Sequence, residues 1–284
     1  MTSSLRPGIA GLGIIGQRVA ASLRAKGLAP ATWNRTPRPE EPGWTDSPAA
    51  LARDCRIIQL FVTDGRAVLG LLEKMLPELG PGKTVIQSST ISLADTHAAA
   101  KLVTGTGAAF LDAPFTGSKD AATGGQLVYY VAGEPEVIEA VRPVLEASSK
   151  DILLCGTMGS ATVLKLVTNM VSSTIVGILS EAMGITAAQG IALTKFQAAL
   201  ERNAAASGVS KLKIPSMIAA DFTPHFSLKN MLKDASFALQ LGSESGLQLP
   251  ILSIVAEGMA AMASNGHGEE DFSVMAANYL PFRS

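Results

Sequence analysis

Short apolar runs alternate with stretches of helical period through the first half of the chain. Runs of strand type occupy 8–10, 31–33, 56–62, 84–88, 109–113, 127–132 and 152–155, and helical patterns fill 16–26, 48–53, 65–79, 93–102 and 135–147. That alternation predicts a mainly parallel, doubly wound sheet. The pattern changes after Gly159. From Ala161 to Ala188 no proline interrupts, and Val163, Leu164, Val167, Met170, Val171, Ile175, Ile178, Leu179 and Met183 recur at steps of three and four. This is helical period sustained over many turns. Helical segments continue to the end, with breaks expected at Gly208, Pro215, Pro224, Pro250 and Gly266-His267-Gly268. The fold class expected is α/β: a Rossmann-type doubly wound domain over 1–158, then an all-α domain over 159–284. Helices rich in Ala, Met and other small residues also suit a subunit interface, so a homodimer or homotetramer is expected.

The first strand runs into Gly11-Leu12-Gly13-Ile14-Ile15-Gly16 and then a helix. These glycines fit G-x-G-x-x-G. The first permits a tight turn, the second lets backbone approach a pyrophosphate, and the third packs helix against strand. Free N–H groups at the helix start complete an anion site. A tight turn with no ligand is the plain alternative, but it leaves the three spacings unexplained. The second strand ends at Asn34-Arg35-Thr36, where an NAD site carries an acid for the ribose 2′-hydroxyl. A guanidinium beside an amide and a hydroxyl suits a 2′-phosphate instead, so NADP(H) is the expected cofactor.

Composition narrows the rest. The 284 residues carry 23 basic and 24 acidic side chains, for a net charge of -1, which argues against a nucleic-acid surface. Cys55 and Cys155 show no metal or disulfide spacing and are expected as buried thiols. His97, His225 and His267 are scattered, with no carboxylate motif beside them, and no metal site is expected. The apolar stretch 166–180 is interrupted by hydroxyls and an amide and is short for a bilayer span. With no signal-type run before the first strand, a cytoplasmic protein without a membrane partner is expected.

Two further segments bear chemistry. Lys165 and Asn169 are four apart on a helix and share a face. A lysine there either lies exposed with its stem packed, or serves a purpose that justifies its burial. Asp112-Ala113-Pro114-Phe115-Thr116-Gly117-Ser118 follows a strand end and reads as a turn whose hydroxyls and N–H groups can hold a carboxylate; an ordinary connection is the alternative. The following stretch 120–126 reads as a small polar loop able to wrap a small substrate.

Taken together, 11–16, 112–118, 156–169 and 226–239 resemble, in order, the signature segments of the β-hydroxyacid dehydrogenase family. Trp33-Asn34-Arg35-Thr36, Thr116-Gly117-Ser118-Lys119, Gly125-Gln126-Leu127 and Ser180-Glu181 look most similar to its glyoxylate/succinic semialdehyde reductase members. The resemblance implies a catalytic role for Lys165, a carboxylate grip by Thr116, Gly117 and Ser118, and substrate orientation by Asn169. It places Val62, Thr63 and Thr90 beside the cofactor, and it implies a late Lys233 near cofactor and substrate, with Phe226 and Asp234 as neighbours. It also implies a substrate cleft between the two domains. The reaction implied is NADPH-dependent reduction of a small carboxylate-bearing aldehyde to its hydroxyacid. Partial burial and a cationic Lys233 nearby would ease proton release from Lys165. Thr116 stands where the family more often has Ser, Phe115 where a smaller aliphatic is common, and Ala161 and Val163 where Gly and Lys are common. Competing readings are NAD(P)-dependent oxidation of a 3-hydroxyacid such as 3-hydroxyisobutyrate, an imine reductase, and a non-catalytic NADP-binding protein.

Overall fold

The computed structural model describes residues 6–280 and forms two compact units that divide between Lys165 and Leu166. The break in sequence pattern at Gly159 marks the start of a helix, Ser160–Ala188, and the division falls inside that helix.

The first unit holds strands β1 (Pro7–Ala10), β2 (Ala31–Trp33), β3 (Ile57–Leu60), β4 (Thr84–Gln87), β5 (Ala109–Asp112), β6 (Phe115–Thr116), β7 (Leu127–Ala132) and β8 (Ser149–Gly156). Between them run α1 (Gly16–Ala25), α2 (Pro48–Asp54), α3 (Gly65–Met75), α4 (Leu93–Thr104), α5 (Lys119–Thr123) and α6 (Pro135–Glu146). Strand order is β2-β1-β3-β4-β5-β7-β6, with β8 beside β7. The first five strands are parallel, while β7 runs antiparallel to β5 and β6 and parallel to β8. All four residues of β1 and of β3 are buried, because both faces of the sheet are covered. One face packs Leu51, Val68, Leu72 and Val103; the other packs Val19, Leu23, Val141 and Leu145.

Helix starts follow local chemistry. Ser47 accepts from the Ala50 N–H at 3.0 Å with Pro48 next in line, and Asp64 accepts from the Ala67 N–H at 2.8 Å. Each such cap stabilises by about 1 kcal/mol. Strand order reverses at β1, which lies between β2 and β3. In open α/β sheets ligands bind beyond the carboxyl ends of the strands at such a switch.

Several expectations need correction. The segment read as a turn over 112–118 contains β6, paired with β7. The polar loop over 120–126 is largely α5, because Ser118 caps a short run of helix formers. The helix expected over 65–79 ends at Met75, and Pro77 tightens the next turn into a 3-10 helix, Leu76–Glu78. Cys55 is buried, but Cys155 on β8 is only half-buried.

The second unit continues the long helix α7 (Ser160–Ala188) with α8 (Leu193–Glu201), α9 (Gly208–Ala219), α10 (Leu228–Glu244) and α11 (Pro250–Ser264). Two 3-10 segments, His267–Glu269 and Phe272–Asn278, follow. Pro215 lies inside α9 rather than ending it; the ring forfeits one backbone hydrogen bond, and Ile214 and Met217 anchor the helix on either side. His267 pairs with Glu270 at 3.1 Å, an exposed contact that its spacing did not advertise. By length and composition α7 could cross a membrane. Its Leu166, Val176, Leu179 and Met183 are instead buried in the protein core.

Candidate functional site

The turn after β1 is built around its three glycines, each for a different reason. Gly11 has φ +100°, and a methyl there would lie 2.1 Å from the Phe61 carbonyl oxygen at the end of β3. A methyl on Gly16 would lie 1.9 Å from the Gly11 carbonyl oxygen and 3.2 Å from Phe61 Cβ. At Gly13 a methyl would meet nothing within 4 Å. The N–H groups of Gly13, Ile14 and Ile15 have no acceptor among the described residues. A dinucleotide pyrophosphate fits this arrangement: donors at the start of α1, with open space above the central glycine. The Gly13→Ala variant should therefore fold with a nearly unchanged melting temperature but bind dinucleotide at least tenfold more weakly. Gly16→Ala should lose roughly 1–3 kcal/mol of stability by overpacking. Thermal melts and cofactor fluorescence titrations read both. Parallel losses in both variants would contradict this division of labour.

The second strand is tied to the turn. The Gly11 N–H donates to the Trp33 carbonyl at 2.8 Å, and the Leu12 N–H donates to Asn34 Oδ1 at 2.9 Å. The Asn34 amide donates onward to the Thr36 carbonyl at 2.9 Å, so one side chain shapes the whole corner. Arg35 projects from it exposed, with no ion pair among the described residues. Across the switch point, Val62 Cγ1 lies 3.4 Å from the Cβ position of Gly11, and the Val62 N–H donates to Ser89 Oγ at 2.8 Å. Thr63 lies beside it and hydrogen-bonds Asp64 at 3.2 Å. Thr90 follows directly after Ser89. Ser89 was not singled out from the sequence; the hydroxyl run Ser88-Ser89-Thr90 after β4 was its only signal.

Beyond the end of β5, Thr116 in β6 pairs with Val128 in β7. Gly117 has φ +138°, and a methyl there would lie 2.8 Å from Leu127 Cδ2, so the corner accepts only glycine without strain. Ser118 caps α5, accepting from the Ala121 N–H at 3.2 Å, which leaves its hydroxyl proton to donate. The Gly117 and Ser118 N–H groups have no acceptor among the described residues. Phe115 is half-buried, its ring 5.9 Å from that of Phe61 and 6.2 Å from that of Tyr129. It therefore serves as a packed joint between β3, β6 and β7. Arg18 links α1 to α5, bonding the Ile14 carbonyl at 2.5 Å and Thr123 Oγ1 at 2.9 Å. This residue, too, was missed in the sequence, because its partners come from separate elements. In the first unit, then, the glycine turn, Asn34, Val62, Ser89 and the 115–118 corner all gather at the carboxyl side of the sheet.

Lys165 is only 9% exposed, so the plain reading of a solvated lysine with a packed stem does not hold. Asn169, one turn further along α7, is equally buried and donates to Asp234 Oδ2 at 2.7 Å. Within the second unit Lys233 sits 3.0 Å from Asp234 Oδ1, off the hydrogen-bonding direction, so charge rather than a directed bond links them. It also lies 5.1 Å from the centre of the Phe237 ring. Phe226 packs edge-on against Phe272, and its N–H donates to Asp271 at 3.1 Å. Asp271 also takes both bonds of the buried Lys213 ammonium, at 2.7 and 2.9 Å. Burial pushes the Asp271 carboxyl up, but the Lys213 charge and hydrogen bonds outweigh it and hold the group below its usual range.

Comparison with known proteins agrees with this geometry. Residues 6–159 match the family described as the NAD binding domain of 6-phosphogluconate dehydrogenase. Residues 159–279 match the one described as NAD-binding of NADP-dependent 3-hydroxyisobutyrate dehydrogenase. The chain is 29% identical over 277 residues to glyoxylate/succinic semialdehyde reductase 1 of Arabidopsis thaliana, covering 94% of this chain and 96% of that protein. It is 25% identical to the mouse cytokine-like nuclear factor N-PAC, over 96% of this chain but 50% of that protein. Among solved structures, the 3-hydroxyisobutyrate dehydrogenase of Mycobacterium tuberculosis with L-serine superposes with a TM-score of 0.89 at 24% identity, covering 96% of this chain and 98% of that one. A Streptomyces aurantiacus imine reductase gives 0.65 at 19%, over 96% and 98% of the two chains. The two family matches, consecutive over residues 6–279, make the protein an NAD(P)-binding oxidoreductase acting on CH–OH groups, and the chain belongs to the 3-hydroxyisobutyrate dehydrogenase-related β-hydroxyacid dehydrogenase family.

Proposed function

We propose that the protein uses NADPH to reduce a small carboxylate-bearing aldehyde, of the glyoxylate or succinic semialdehyde type, to the hydroxyacid. The observation that carries this reading is Lys165, a lysine buried on an apolar helix. The match along nearly the whole length of the Arabidopsis reductase supports the substrate class.

The cofactor is held by the Gly11–Gly16 turn, Val62, Thr63 and the Asn34-Arg35-Thr36 corner, with Thr90 and Phe226 assigned to it by position in the sequence. When bound, the nicotinamide supplies the hydride. Lys165 donates a proton to the substrate oxygen as negative charge grows there, and its remaining polarity steadies that oxygen. The Thr116 and Ser118 hydroxyls and the Gly117 and Ser118 N–H groups take the carboxylate and hold the carbonyl in one orientation, which supplies rate by positioning. Asn169 and Lys233 are assigned to the substrate by sequence position. In the oxidising direction neutral Lys165 takes the alcohol proton. That direction, with a 3-hydroxyacid such as 3-hydroxyisobutyrate, is the second reading, supported by the family match over 159–279.

Following NADPH absorbance with glyoxylate and succinic semialdehyde, then NADP+ with 3-hydroxyisobutyrate, separates the two readings. Turnover only with the hydroxyacid reverses the assignment, and no turnover with any of them removes it. Cofactor choice has its own test. The Arg35 guanidinium is exposed beside an amide-braced corner, and a charge-assisted bond to phosphate is worth about 1.5–3 kcal/mol. Arg35→Ala should weaken NADPH roughly 10–100-fold and leave NADH nearly unchanged; equal losses would make Arg35 structural.

A further inference from the structure

One buried carboxylate in the first unit takes no part in the chemistry described so far. Asp112 ends β5 and is fully buried. Its Oδ2 accepts from the Thr162 N–H at 2.8 Å, and its Oδ1 accepts from the Thr162 hydroxyl, also at 2.8 Å. Thr162 Oγ1 lies 2.9 Å from Thr96 Oγ1; with its own proton on Asp112 it accepts there, and Thr96 shares its single proton between Thr162 and the Ser92 carbonyl at 3.1 Å. Gly159 has φ +91°, and a methyl there would lie 2.6 Å from Leu93 and 3.1 Å from His97. The first turn of α7 is therefore held by a carboxylate fifty residues away in the sequence, through a chain of hydroxyls that ends on α4.

A negative charge suits a helix N-terminus. Burying one is nevertheless costly. Burial pushes the Asp112 carboxyl up to about 6, against the Thr162 bonds, the His97 charge and the Gly159 N–H. A neutral cap would hold the helix at less cost, so the placement calls for another explanation. Asp112 leads directly into Pro114, Phe115 and the Thr116-Gly117-Ser118 corner, and Lys165 lies one turn along α7 from Thr162. We propose that Asp112 is a positioning residue: through Thr162 it fixes the spacing between the segment that takes the substrate carboxylate and the turn of α7 that carries Lys165. This rests on the proposed function.

The test compares Asp112→Ala, Asp112→Asn, Thr162→Val and Thr162→Ser. Asn can keep both bonds, its oxygen accepting the Thr162 N–H and its amide donating to the Thr162 hydroxyl, which then donates to Thr96. Ser keeps the hydroxyl that Val removes. The measurements are kcat and KM with glyoxylate, NADPH affinity by fluorescence, and amide hydrogen exchange over 160–165. In Asp112→Ala and Thr162→Val, kcat should fall at least tenfold, NADPH affinity should stay within twofold, and exchange in the first turn of α7 should accelerate. Asp112→Asn and Thr162→Ser should stay within threefold of wild type. If Asp112→Ala does not fold, the Thr162 pair decides alone. A kcat within twofold of wild type in Thr162→Val, equal damage from Val and Ser, or kcat and NADPH affinity falling together would each overturn the proposal. If wild type reduces no acidic aldehyde, the proposed function fails and the catalytic positioning role falls with it; unchanged exchange in Asp112→Ala would show in addition that the carboxylate does not hold the first turn of α7.

Discussion

Replacing Lys165 with alanine should lower kcat by roughly two to four orders of magnitude, the range for removing a general acid. The fold should survive. Alanine is the best helix former, and α7 runs for 29 residues around the substituted position. NADPH affinity should also survive, because the glycine turn is shaped by Phe61, Trp33 and Asn34, none of which depends on Lys165. Lys165→Arg separates two contributions. Arginine keeps the positive charge but releases no proton near neutrality. If proton delivery dominates, arginine should be nearly as poor as alanine; if charge alone matters, it should recover much of the rate. Steady-state kinetics with a parallel NADPH titration decides, and an alanine variant that keeps a tenth of wild-type kcat would refute the role.

Lys213→Met should cost about 3–5 kcal/mol, because it strands the buried Asp271 carboxylate without its partner. Domains of this kind have only about 5–15 kcal/mol in hand. Replacing an isolated buried ion pair with apolar residues is often neutral, but here a double replacement should not recover the loss. Asp271 also accepts from the N–H groups of His225, Phe226 and Ser273 and from the Ser273 hydroxyl, and all four donors would be orphaned. The pH dependence follows from the depressed carboxyl. Its contribution is fully present above the ordinary Asp range, near 4, and disappears as pH falls through the lower folded value. In the methionine variant the carboxyl has burial acting on it without the lysine, and it protonates readily. The stability gap between variant and wild type should therefore narrow on acidification. Urea unfolding at neutral pH and near pH 4 reads it, and a gap that widens in acid would contradict the argument.

What the sequence disclosed follows from where the physical constraints are written. Gly11, Gly13 and Gly16 fall within six residues, so the turn was legible from spacing alone, and the close approaches at Gly11 and Gly16 account for two of the three. Period revealed most strands and helices, whereas the Ser47 and Asp64 caps emerged only with the structure. Where period was weak the reading failed. The α5 stretch is too short and too rich in small residues to show an apolar face, and Pro215 marks no stop because packing on both sides of it carries α9 through. Polar pairs were the main blind spot. Asp112 with Thr162, Lys213 with Asp271, Asn169 with Asp234 and Val62 with Ser89 join residues far apart in sequence, and no periodicity records a hydrogen bond. Lys165 was visible as a residue, but its burial, which sets it apart from an ordinary surface lysine, was not.

Asn34 carries an evolutionary consequence. Its oxygen receives the Leu12 N–H, and its amide nitrogen secures the Thr36 carbonyl. An aspartate could take over the first duty, while surrendering the second and placing a negative charge beside Arg35. Under the proposed cofactor reading, folding of the corner and choice of nucleotide draw on the same atoms. A lineage drifting toward the other dinucleotide cannot take a neutral first step at this position, so exchange should demand coordinated change at 34, 35 and 36, and intermediates holding only one of those replacements should be rare.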